Sequence, residues 1–165
     1  MGKDFLIEMG YPGLTARLKR LNDQFVYQTK EFYKTKGLDI EPNWHMIFLL
    51  LIENEKMTVM EIAQRLNLSH PGIVKLIDKM KKKGYINSTR DLEDHRKFQL
   101  KLSKKAIKAL PELQEYWKAG NKVIEEMLNC NNELLNQLEI VEKNMEELDF
   151  NKRMREQYKK LKSEN

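Results

Sequence analysis

The sequence is short of cysteine, proline and glycine, with one, four and seven in 165 residues. A single thiol, Cys130, can close no internal disulfide, so a reducing cytoplasm is the expected setting. The triplets beginning at Asn67 and Asn87 then carry no meaning as glycosylation sites. With so few chain breakers, long helices should dominate. Long apolar runs are missing as well. The longest, Met46 to Ile52, falls far below the roughly 20 residues of a membrane-crossing helix. The opening MGKDFLIEMG places Asp4 and Glu8 where a signal peptide would be apolar, and Leu6 breaks the myristoylation pattern, so neither export nor a membrane is expected. There is no glycine-rich phosphate loop, no Ser or Cys nucleophile elbow and no HExxH; no carboxylate sits in an apolar stretch that would raise its pKa. No enzyme and no cofactor are expected. His45, His70 and His95 stand 25 residues apart, with no ligand pair at helical spacing, so no metal site is expected. Cys130 neighbours Glu125, Glu126 and Glu133 rather than the cations that acidify a thiol, which speaks against a redox sensor.

What the chain has is charge, and it is unevenly placed. Charged residues make up 33% and the hydrophobic set 41%, unlike a disordered chain. The length suits one domain, or a domain with an arm, able to bury roughly 70% of its unfolded surface. The net charge is +5. Residues 69–105 hold eleven Lys or Arg against four acids, a net +7 that leaves the rest of the chain at −2. Such a local excess predicts an anionic partner docking on that segment.

Apolar residues at Tyr11, Leu14, Leu18, Leu21 and Phe25, then Phe32, predict a first helix from about Pro12 to Lys36, closed by Gly37. A second, capped by Asn43, carries the apolar run and should be buried on all sides. Thr58-Val59-Met60-Glu61 reads as a capping box, with Ile62, Ala63 and Leu66 as the inner face. Asn67 suits the left-handed residue of a tight turn. Ser69 can cap the next helix, whose Ile73, Leu76, Ile77 and Met80 follow the helical period before Gly84 closes it. Tyr85–Thr89 and Phe98–Leu102 read as strands flanking a tip, Arg90–Lys97, that is charged apart from Leu92. Ser103 can cap a long helix that Pro111 should kink or split. After a break at 129–132, Leu134, Leu138, Val141, Met145 and Leu148 form a heptad seam wanting a partner helix. The charged tail after Asn151 is predicted to fray.

Helix, tight turn, helix, strand, charged tip, strand is the order of a winged helix-turn-helix. The expected fold class is mainly α, with a small β-hairpin wing. A major groove admits one helix, and its N-terminal residues reach the base edges. Here those are His70, Pro71, Gly72 and Lys75, next to the capping Ser69. Lys75, Lys79 and Lys82, spaced i, i+4, i+7, suit phosphates. Arg90, Arg96 and Lys97 in the hairpin suit a minor groove or the backbone. Each also has a plainer reading: a solvated helix end for the lysines, a surface hairpin charge for Arg96, and a first helical turn for His70.

The stretch from Thr58 to Ser103 resembles the DNA-binding lobe of the MarR-type (multiple antibiotic resistance) regulators, and the helix order on either side is similar. RDLEDHR, residues 90–96, is similar to that family's wing pattern. The resemblance implies that Asp94 orients Arg96 into the minor groove. His95 stands where the family often has Arg, and Asn67 where a glycine is common. The resemblance further implies a homodimer, with an N-terminal dimerisation helix over 1–42, a winged lobe over 43–102 and C-terminal dimerisation helices over 103–165. It implies a small aromatic effector in a crevice between dimer helices and lobe, for which Trp44, His45, Phe48, Tyr116 and Trp117 are candidates by position. Trp44 and Trp117 equally suit packing. The expectation is a homodimeric transcriptional regulator binding pseudo-palindromic duplex DNA. Two alternatives stay open: a sequence-independent architectural DNA binder and a winged-helix protein-interaction module.

Overall fold

The computed structural model describes residues 2–90 and 98–164. Among them the helices are α1 Phe5–Glu8, α2 Leu14–Thr35, α3 His45–Asn54, α4 Val59–Leu66, α5 His70–Lys82, α6 Lys104–Met127, α7 Glu133–Glu147 and α8 Phe150–Ser163. Strands β1 Ile86–Arg90 and β2 Phe98–Leu102 lie between α5 and α6. The chain divides into two compact units, Met1–Leu110 and Pro111–Asn165.

The core of the first unit is assembled from every element of the lobe. Trp44, Ile47, Phe48 and Leu51 come from α3 and the turn before it, and Ile62 and Ala63 from α4. Ile73, Ile77 and Met80 come from α5, and Tyr85, Ile86 and Leu100 from the wing. Local chemistry sets the two-helix corner. The Thr58 hydroxyl accepts from the Glu61 amide at 3.2 Å, and the Glu61 carboxylate accepts from the Thr58 amide at 2.6 Å, which closes the capping box. Asn67 sits left-handed at φ 50°, ψ 40° and returns its amide to the carbonyls of α4. Ser69 Oγ accepts from the Gly72 amide at 3.3 Å. A Cβ on Gly72 would stand 3.0 Å from that oxygen, so a larger residue there would push the capping hydroxyl by a few tenths of an ångström. The strands pair antiparallel, Ile86 opposite Leu102 and Arg90 opposite Phe98. Met57 adds a short third rung, bonded both ways to Leu100 at 3.1 and 2.8 Å.

The structure corrects several expectations. The first long helix begins at Leu14, after a 3-10 turn at Tyr11–Gly13. Asn43 caps nothing, because Pro42 opens a 3-10 turn, Pro42–Trp44, from which α3 continues. That helix is not buried on all sides, since Leu49 and Ile52 are exposed. Pro111 does not split the helix, and α6 runs unbroken across it. The carbonyl deprived of its donor four residues back belongs to Ile107, which is exposed, so water can take the place of the missing N–H.

In the second unit Leu113 and Trp117 of α6 are buried. The break between α6 and α7 is built on two left-handed residues, Asn129 at φ 53° and Cys130 at φ 56°. The tail does not fray but forms α8. Asp149 caps it by accepting from the Lys152 amide at 3.0 Å. Arg153 Nε donates to the Leu148 carbonyl at 2.8 Å, and its guanidinium also bonds the Asn144 carbonyl, satisfying the open C-terminal end of α7. No helix among the described residues is long and apolar enough to cross a membrane.

Candidate nucleic-acid interface

α5 buries Ile73, Ile77 and Met80 on one face, and the residues on the other are all open to solvent. Ser69, His70, Pro71 and Gly72 are exposed at its N-terminal end, and Lys75, Lys79 and Lys82 are exposed along its length. The three lysines fall within about 60° of one another around the helix axis and opposite the buried stripe. The first-turn amides point out of the same end, where the partial positive charge of a helix favours a phosphate. At the wing root, Arg90 is exposed and its guanidinium lies 5.9 Å from the ring centre of Phe98, its cross-strand partner. His70 and Phe98 line one open cavity with Met60 and Gln64, so the head of α5 and the root of the wing are neighbours. Asp94, Arg96 and Lys97 of the tip lie outside the described residues.

The far end of α5 is anchored by a polar hub. The Tyr85 hydroxyl donates to Asp39 Oδ1 at 2.6 Å, and Lys105 Nζ donates to it at 3.3 Å. Lys83 Nζ lies 3.6 Å from Asp39 Oδ2. Lys105 also donates to the Lys83 carbonyl at 2.9 Å and sits 4.2 Å from the Tyr85 ring centre. Ser103 Oγ donates to the Gly84 carbonyl at 2.6 Å and accepts from the Ala106 amide at 3.1 Å. Partial burial pushes the Asp39 carboxyl upward, but the Tyr85 hydroxyl with Lys105 and Lys83 outweighs it, and the pKa lies below the ordinary value. Burial, with Asp39 beside it, raises that of Tyr85.

A lowered carboxyl stabilises the fold above its unfolded pKa of about 4, and that contribution fades as pH falls through the lower folded value. Asp39→Asn should therefore lower Tm by about 2 °C at pH 7, a modest effect because the carboxylate is solvent-screened. The gap to wild type should close toward pH 3. Melting curves from pH 7 to 3 check this, and a constant gap would remove Asp39 from the hub's electrostatics.

The candidates for an effector fall in both units. Phe48 is fully buried, edge-on to Tyr85 at 5.9 Å. His45 is half-buried, and burial lowers its pKa. Tyr116 and Trp117 belong to the second unit, where the Tyr116 hydroxyl bonds Glu112. Trp44 lines an open cavity of about 440 Å³ that also receives Lys30, Lys34, Asp39, Lys79 and Lys82. Its Nε1 is buried and has no acceptor among the described residues. Sequence reasoning missed Asp39, Lys30 and Lys34 here, because nothing local marks them.

A capped two-helix corner followed by a β-hairpin defines a winged helix-turn-helix protein. The model of the MarR family matches residues 38–97. The HTH-type transcriptional regulator SarZ of Staphylococcus haemolyticus is 28% identical over 85 residues, 52% of this chain and 58% of that one. SarZ of Staphylococcus aureus strain MRSA252 is 28% identical over 98 residues, 55% and 66% of the two chains. The chain thus spans less than two thirds of the length of these curated relatives. Among solved structures, a Staphylococcus aureus MepR–DNA complex superposes with TM-score 0.65 at 16% identity, covering 80% of this chain and 94% of that one. An Escherichia coli MarR mutant complexed with operator DNA gives 0.63 at 17% identity, covering 87% and 99%. These likenesses establish the fold.

Proposed function

We propose that this chain is a homodimeric transcriptional regulator that reads pseudo-palindromic duplex DNA. The observation that carries this is the α5 face: seven exposed residues, Ser69 to Gly72 with Lys75, Lys79 and Lys82, on a helix whose entry is fixed by Asn67 and Ser69. His70, Pro71 and Gly72 meet base edges, and Lys75, Lys79 and Lys82 meet mainly phosphates. Arg90, with Lys97 and with Arg96 oriented by Asp94, supplies the wing contacts. The relatives, regulators by name, and the DNA-bound fold neighbours support this over catalysis, and the single cysteine supports a cytoplasmic setting.

A dimer is supported by the apolar stripe of α2. Leu14, Leu18, Leu21 and Phe25 are 38–48% exposed, a continuous ridge that water alone covers poorly. The Trp44 cavity favours a small aromatic anion as effector, since Lys30, Lys34, Lys79 and Lys82 line it and an anion there would draw Lys79 and Lys82 away from DNA. A panel of phenolic carboxylates that moved neither Tm nor DNA affinity would remove the effector.

Selection from a randomised duplex library at ~150 mM salt, where phosphate-only binding is weakened, should enrich an inverted repeat with half-sites about 10 bp apart. Flat affinity across unrelated duplexes would replace this reading with an architectural binder. No DNA binding by a folded dimer would replace it with a protein-interaction module.

A further inference from the structure

The root of the wing carries an apolar ring on a surface otherwise built for phosphates. Side chains alternate along β2, so Phe98 lies on the same face as the fully buried Leu100. Phe98 overhangs the edge of the core and stays 47% exposed. Met60, in the first turn of α4, is 61% exposed, although Ile62 and Ala63 of the same helix are buried. With His70 and Gln64 the two side chains line an open cavity of about 490 Å³. The carboxylate in its lining, Glu61, is taken up by the amide and hydroxyl of Thr58 at 2.6 and 2.9 Å. Arg90 stands beside the ring, 5.9 Å from its centre. This apolar patch is far smaller than the face a protein partner covers, which takes about 20 residues a side. Its position fits DNA better. His70 stands at the end of α5 that enters a major groove, and the hairpin runs toward the neighbouring minor groove. A DNA strand dividing the two grooves then crosses the cavity.

We propose that Met60 and Phe98 read a thymine. The C5-methyl of one thymine per half-site seats between the Met60 thioether and the Phe98 ring, beside the base edge that His70 meets. Arg90 faces the phosphate next to it. This rests on the DNA-binding function proposed above and adds a specificity that the lysines cannot supply, because the phosphates they meet are common to every sequence. Among the base edges of a major groove the thymine methyl is the apolar group, and Phe is one of the side chains suited to it. Met adapts its unbranched thioether to an irregular gap. A deoxyribose also offers apolar carbons, but every nucleotide carries one, so a ring held against the sugar would be blind to sequence.

The test uses the full chain and the inverted-repeat duplex enriched in the selection described above. In copies of that duplex each thymine is replaced in turn by deoxyuridine, at the symmetric positions of both half-sites, which removes the methyl and nothing else. Burying one methyl is worth about fourfold, so at one position the replacement should weaken wild-type binding about fifteenfold over the two half-sites. Phe98→Ala and Met60→Ala should each bind the thymine duplex at least about fivefold more weakly and be indifferent to deoxyuridine at that position. Both side chains are exposed, so each variant should melt with the wild type. No charge is lost, so affinity and salt slope on an unrelated duplex should stay as in the wild type. Fluorescence titration reads each of these. A wild-type chain insensitive to every deoxyuridine, or variants that keep the wild-type sensitive position, would overturn the thymine reader and leave the regulator standing. Equal weakening of both variants on every duplex would also overturn it, and would set the ring against deoxyribose. A selection that enriches no duplex would overturn the regulator and its reader together.

Discussion

Lys75→Ala/Lys79→Ala/Lys82→Ala should flatten the salt dependence of DNA binding more than any other surface change. Each phosphate neutralised contributes about 0.9 to the slope of log K against log salt. Three lysines on each of two lobes then account for a slope near 5. At ~150 mM salt each such contact is worth about fivefold, so losing all six should lower affinity by about ten-thousandfold. The fold should not suffer, because all three side chains are exposed on the face of α5 opposite Ile73, Ile77 and Met80. Fluorescence titration from 0.05 to 0.3 M salt measures both quantities. An unchanged slope would mean that the lysines serve the Trp44 cavity and not DNA. A loss confined to Lys75 would move Lys79 and Lys82 from the DNA to that cavity.

What could be read in the sequence follows from how far apart the interacting residues are. The capping box at Thr58 and Glu61, the left-handed Asn67, the Ser69 cap and the strand Phe98–Leu102 are each decided within four or five residues. The structure has them as read. The rung between Met57 and Leu100 joins residues from opposite sides of the lobe and has no local signature. The same holds for the hub, where Asp39 is bonded by Tyr85 across 46 positions and by Lys105 across 66. Charge masked α8: six basic residues obscure the helical spacing of Phe150, Met154, Tyr158 and Leu161. Whether Pro111 splits its helix depends on whether the orphaned carbonyl reaches water, which sequence does not tell. Among the effector candidates, position along the chain placed Trp44 and Phe48 nearby but could not say that both fill the core and that Trp44 also borders a cavity.

That last distinction sets the largest stability effect expected of any single change. Phe48→Ala should destabilise the chain by about 3–5 kcal/mol, the cost of removing a fully buried aromatic ring together with the void it leaves. Phe48 has no exposed surface, and its ring meets Tyr85 edge-on, which in turn meets Trp44 at 5.7 Å. Against a total stability of about 5–15 kcal/mol, the loss should lower Tm by about 6–20 °C at one fixed protein concentration. DNA affinity should fall with it, even in the folded fraction. Tyr85 carries the hydroxyl that holds Asp39, and Asp39 with Lys105 anchors the Lys83 end of α5, so a ring free to tilt loosens the helix that reads the groove. Trp44→Phe should behave differently. It keeps most of the packing and deletes a buried N–H that has no acceptor among the described residues, so the lost indole volume is partly offset by removing an unsatisfied donor. Urea melts of the two variants beside wild type decide the matter. A Phe48→Ala midpoint within 1 kcal/mol of wild type would show that the ring is not a structural element, and would return Phe48 to the effector site.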